Sequence, residues 1–149
     1  MSISTRLRST LCVSAAIALS LSGAALAKDI KVHLSGSKET PPVTTSATGT
    51  GTISIKADKS VSGGVTTKGV EGIAAHIHQG AVGQEGPPII TLTKGDNGAW
   101  TVPDGSKLTD DQYAAYKAGN LYVNVHSNAH EGGEIRGQLN PGSKSKPKT

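Results

Sequence analysis

The sequence predicts an all-β domain, a β-sandwich with Greek-key connections and one short helix at about residues 110–118. Three observations carry that reading. Short apolar alternations recur between turn residues along a chain rich in Gly, Thr and Ser, the pattern of antiparallel strands that turn one face to a core. Seven such segments occur, the number and spacing expected of a sandwich. A single segment breaks the pattern with helix-capping residues at both ends.

The chain opens on a leader. Arg6 and Arg8 precede an apolar, small-residue run from Leu11 to Leu21, and Ala25-Leu26-Ala27 supplies a small-x-small cleavage context before the polar Lys28. Residues 1–27 are therefore expected to be a signal peptide removed on export, since the run falls short of the roughly 20 apolar residues needed to span a bilayer. Cleavage would remove Cys12, the only cysteine, so the mature domain at 28–140 has no thiol ligand and no disulfide. Arg6 and Arg8 leave with the leader, and Lys144, Lys146 and Lys148 sit in a Lys-rich tail at 141–149 with no apolar residue to dock it, which predicts disorder there. Without those five cations the formal charge of +4 becomes −1 for the body of the domain, which argues against a nucleic-acid partner.

Strands are expected at Ile30 to Leu34, Gly51 to Lys56, Gly64 to Thr67, Ile73 to His78, Ile89 to Thr93, Leu121 to His126 and Glu134 to Leu139. With no Phe, one Trp and three Tyr, their core must come from Val, Ile, Leu and Ala. In Leu108-Thr-Asp-Asp-Gln-Tyr113, Thr109 and Gln112 are spaced as a capping box, and Leu108 and Tyr113 as a hydrophobic staple. Asp110 and Asp111 suit the positive end of the helix dipole, and Gly119 is a natural stop, which sets a helix from about Asp110 to Ala118. Two proline-containing stretches read as shaped turns: Glu39-Thr-Pro-Pro42 as a strand exit, and Gly80 to Pro88 as a loop whose Pro87-Pro88 forbids the helix a phosphate cradle would need.

Four of the five histidines fall in two pairs, His76 with His78 and His126 with His130. Residues two apart on a strand share a face, so His76 and His78 present adjacent imidazoles while Ala75 and Ile77 face the other way. Leu121, Val123 and Val125 form the apolar face of the next-to-last strand, which puts Tyr122, Asn124 and His126 on its polar side. His130 follows in a loop leading to a strand on which Glu134, Arg136 and Gln138 share the polar side. If that hairpin lies beside the His76 to His78 strand, four imidazoles converge with a carboxylate and a guanidinium close by. An all-nitrogen set of this kind suits copper or zinc. The competing reading is structural: histidines that bond loop backbones, and an ordinary ion pair between Glu134 and Arg136. His33 is expected on the surface.

Several ordered motifs resemble the CHRD domain, named after chordin and found in many exported microbial proteins. They are Leu34-Ser-Gly-Ser-Lys-Glu-Thr-Pro-Pro-Val43, Ala74-Ala-His-Ile-His78 with Gly80 and Gly86-Pro87, the Leu108-Thr-Asp-Asp-Gln segment, and Gly119-Asn-Leu-Tyr-Val-Asn-Val-His-Ser127 ending in Gly133-Glu-Ile-Arg-Gly-Gln-Leu139. The likeness runs from about Ile30 to Leu139. It implies an immunoglobulin-like or Cu,Zn superoxide dismutase-like Greek-key sandwich and no settled activity. The family's motif histidines fall on His76, His78 and His126, with His130 in a more variable stretch, and Ser127 stands where the family often has Thr.

The leading expectation is an exported, non-catalytic module, periplasmic or extracellular, that binds copper or zinc through His76, His78, His126 and His130. Its affinity should fall as imidazoles protonate below about pH 6. The alternative is an adhesion, matrix or protein-interaction module acting on an unidentified extracytoplasmic partner, with no membrane span after cleavage. A dismutase is the weaker reading, since five histidines leave little for a redox copper and a separate zinc. A hydrolase is weaker still, with no thiol and no serine in a nucleophile-elbow context.

Overall fold

The computed structural model describes residues 27–142. Residues 1–26, all but the last of the leader expected at 1–27, and residues 143–149 of the tail expected to be disordered at 141–149 lie outside the described residues. The strands are β1 (Lys28–Ser35), β2 (Thr48–Ile55), β3 (Val61–Lys68), β4 (Gly72–Gln79), β5 (Pro88–Thr91), β6 (Thr93–Lys94), β7 (Ala99–Thr101), β8 (Leu121–Ser127) and β9 (Ile135–Gln138), with helix α1 at Asp110–Lys117. A 3-10 turn at Gly36–Lys38 follows β1.

All strand pairs are antiparallel, and they form a nine-stranded sheet ordered β5-β4-β8-β9-β1-β2-β3-β7-β6. The two ends of that order are consecutive in sequence, separated only by Leu92. One extended segment thus pairs with β4 through its first half and with β7 through its second, and Leu92 N–H donates to Ala75 O at 2.9 Å between them. The sheet is thereby a nearly closed barrel, or equally a sandwich whose two layers are continuous. The predicted strand at Ile89 to Thr93 is resolved into β5 and β6, and β7 is an addition to the expected set.

Inside the barrel the period-two alternation delivers Ile30, Val32 and Leu34 from β1, Ala75 and Ile77 from β4, and Leu121, Val123 and Val125 from β8, all at most 2% exposed. Trp100, Ile135 and Leu139 complete the same core. The helix begins as its capping box predicts: Thr109 Oγ1 accepts from the Gln112 amide, and Gln112 Oε1 accepts from the Thr109 amide. Gly119, at φ 78°, ends it in the left-handed conformation that favours glycine and feeds the chain directly into β8.

The outward face of β8 and β9 differs from expectation. It is polar, as predicted, yet Tyr122, Asn124 and Arg136 are each no more than 3% exposed. Two loops cover it. Arg136 donates to Ala81 O and Gln84 O, Gln138 Nε2 donates to Gly80 O, and the Gly86 amide donates to the Tyr122 hydroxyl, so residues 80–86 are laced onto the sheet. The segment after β1 closes from the other side, where Thr45 Oγ1 donates to Glu134 Oε1. A buried polar layer results, on the opposite side of the sheet from the apolar core.

Candidate metal centre

Strand pairing brings the histidines together. In the β4–β8 register His76 lies opposite Asn124, His78 opposite Tyr122 and Ala74 opposite His126, so His126 is the diagonal same-face neighbour of His76. One nitrogen from each of His76, His78 and His126 lies within 4.8 Å of the others. For comparison, two nitrogens bound at 2.0–2.1 Å to a tetrahedral zinc stand roughly 3.3 Å apart. The trio is thus near coordinating spacing.

Two of the rings are oriented from behind. His78 Nδ1 lies 2.8 Å from Gly86 O and His126 Nδ1 lies 2.8 Å from Glu131 O. A carbonyl only accepts, so both Nδ1 atoms carry the proton and both Nε2 atoms present a lone pair. His126 Nε2 meets His76 Nδ1 at 3.0 Å, which makes His76 the donor of that bond. His78 Nε2 is buried with no hydrogen-bond partner. Anchoring of the far ring nitrogen by a carbonyl is the arrangement that fixes tautomer and aim in metal-binding histidines.

The ring of His78 is also clamped from the side. It stacks on Tyr122 with centroids 4.9 Å apart and planes 8° from parallel, and the Arg136 guanidinium carbon lies 3.5 Å from the centroid of the Tyr122 ring. Burial, together with the neighbouring imidazoles, holds His76 below the ordinary histidine range. Burial does the same to His78, against the opposing bond to Gly86 O. Both rings therefore stay neutral, and available as ligands, to lower pH than a free imidazole.

The other predicted residues go elsewhere. His130 is not a member of the trio; its amide closes a turn on Ser127 O and Ser127 Oγ, and its own carbonyl accepts from Gly133. Glu134 does not pair with Arg136. It accepts from Ser127 Oγ at 2.5 Å and Thr45 Oγ1 at 2.7 Å, and although burial opposes ionisation those hydroxyls hold it below the usual carboxylate range. Lys59–Asp110 is the one ion pair among the described residues. His33 is exposed, as expected.

Sequence reasoning treated Glu39 as part of a strand exit, whereas the structure buries it to 6% exposure beside Asn124 in the same polar layer. Burial pushes its carboxyl up to about 7 in spite of the Thr40 amide and the charge of Arg136. Gly133, at φ 130°, leaves the space it fills: a Cβ there would run into Glu39 Oε1 and Asn124 Nδ2. The proximity of an acid to its motif's prolines gave no hint of this. The signal was the glycine far along the chain.

A family model of the CHRD domain matches residues 30–139. No curated protein and no solved structure matches the chain.

Proposed function

We propose that this chain, which belongs to the CHRD domain family, is a non-catalytic binding module that holds one copper or zinc ion through His76, His78 and His126 and works outside the cytoplasm. The observation that supports the metal reading is the arrangement of lone pairs. A structural network would spend both nitrogens of a buried imidazole on protein partners, because an unpaired polar atom out of water costs about 1–3 kcal/mol. Here His78 Nε2 is left without one while its Nδ1 is anchored; His126 Nε2, beside it, accepts from no group but His76 Nδ1, a bond that an ion entering the trio would replace. Three neutral nitrogens fit either ion and leave coordination positions for solvent or a small ligand. Export rests on the leader read in residues 1–27.

Calorimetric titration of residues 28–149, stripped by chelator, should find one site for Cu(II) or Zn(II). His78→Ala and His126→Ala should each weaken it at least tenfold, while His130→Ala should change it by less than twofold. Far-ultraviolet circular dichroism of each variant separates lost binding from lost fold. Absence of binding to either ion at micromolar protein, or binding that survives both alanine substitutions in folded variants, would overturn the reading.

A further inference from the structure

A cleft of about 700 Å³ lies over the outer side of β1 and β9, walled by the segment after β1 on one side and the 80–86 loop on the other. That volume falls within the range of small-molecule sites, about 300–1,000 Å³. Its lining is unbalanced in charge. Lys31 and Lys38 stand exposed at its rim, and Lys38 Nζ is held over β1 by donating to His33 O at 2.7 Å.

At the inner side is Arg136, 2% exposed, a guanidinium cation. Among the described residues no carboxylate lies within ion-pairing distance of it. Its partners are neutral: the carbonyls of Ala81 and Gln84, the Gln138 amide oxygen and the Tyr122 ring. The single acid of the lining is Glu39, whose buried Oε1 has no hydrogen-bond partner. With burial holding its carboxyl at about 7, much of it is uncharged near neutrality and leaves the cations uncancelled.

One wall is apolar. Val82 is 76% exposed on a loop that is otherwise tied down by hydrogen bonds, and Pro42 faces it from the opposite wall. An exposed valine fixed beside a buried unpaired cation is an amphipathic receptor in outline.

We propose that this cleft binds a small amphipathic organic anion, its carboxylate drawn by Arg136, Lys31 and Lys38 and its apolar body resting on Val82 and Pro42. The site is independent of the metal reading, since it uses none of the three histidines. It touches that site through the stack of Arg136 on Tyr122 and Tyr122 on His78, and through Asn124, the neighbour of both Glu39 and His78.

The test is a pair of isosteric probes, 2-naphthoate and the neutral 2-naphthamide, titrated into residues 28–149 in chelator and low salt and followed by amide chemical shifts. Naphthoate should saturate a single site, with shifts concentrated in residues 37–42, 80–86 and 136–140, and should bind at least tenfold more tightly than the amide. Lys31→Ala/Lys38→Ala, both on exposed positions, should weaken naphthoate at least tenfold and leave naphthamide nearly unchanged. Val82→Ser should weaken both probes. The proposal is overturned by any of three results: no saturation at millimolar naphthoate, equal affinity for the two probes, or shifts that map outside the cleft. Because the metal is absent throughout, these outcomes leave the histidine site unjudged.

Discussion

Glu39 is where a single residue makes the largest statement about stability. Its carboxyl titrates at about 7 in the folded protein against an ordinary 4.5, because burial outweighs the Thr40 amide, Arg136 and Asn124, with Glu85 adding a like charge. Between those two values the folded state keeps a proton that the unfolded chain has released, so stability falls as pH rises. The contribution is complete below about 4.5 and lost once pH passes 7, a difference on the order of 3 kcal/mol. Glu39→Gln keeps the shape and removes the titration. Urea unfolding should find it close to the parent at pH 5 and about 3 kcal/mol more stable at pH 8; an equal offset at both values would refute a buried titrating carboxyl.

The same residue marks the limit of what local pattern reveals. His76 and His78 were legible because a strand's period of two needs no partner to put them on one face. Their convergence with His126 was legible because an apolar face on β8 fixed which way its polar side turned. Glu39 was not, since its burial depends on Gly133, nearly a hundred positions away in the chain. The Glu134–Arg136 pair of the competing structural reading failed for a related reason: Glu134 precedes β9, and its amide bonds Val125 O while its carboxylate is taken by two hydroxyls.

At the scale of elements, α1 shows how local chemistry sets the register of the site. The Asn120 amide donates to Ala115 O and Gln138 Nε2 donates to Gly119 O, so the helix end is fastened to β9 just where β8 begins. Tyr122, Asn124 and His126 follow at intervals of two. The helix was readable almost to the residue because its caps are encoded within a dozen positions. β7 was missed because three residues with one inward Trp100 are too few for a period to appear. The turn before it was nonetheless present as Asn97-Gly98, at φ 53° and 76°, residue types that tolerate the left-handed conformation, in a three-residue loop closed by the Gly95 amide on Ala99 O. Thr109→Ala, which removes the side-chain half of the cap, should cost about 1 kcal/mol and lower the melting temperature by roughly 4 °C. Thr109→Ser should recover most of that in the same calorimetric scan.

For the whole molecule, the alternation of short strands identified the class but not the closure. Ile90 and Leu92 are both buried in an unbroken alternation, so nothing in the pattern says that the partner changes from β4 to β7 between them. The seam is instead set by side chains at its two edges. Lys94 Nζ donates to Gly72 O at 2.7 Å and lies 5.7 Å from the Trp100 ring, and a Cβ on Gly72 would stand 2.7 Å from Trp100 Cζ2 and 2.9 Å from Val125 Cγ1. Gly72 is therefore the space into which Trp100 packs. Trp100→Ala should destabilise the domain by about 3–5 kcal/mol, and Gly72→Ala by about 1–3 kcal/mol through overpacking. If closure depends on that one contact, the two losses are not additive: with the indole gone, the added methyl meets only Val125 and should cost at least about 1 kcal/mol less. A double-mutant cycle from denaturant unfolding measures the difference directly. Additive losses would mean that the barrel closes through the Leu92 backbone bond and that the tryptophan merely fills the core.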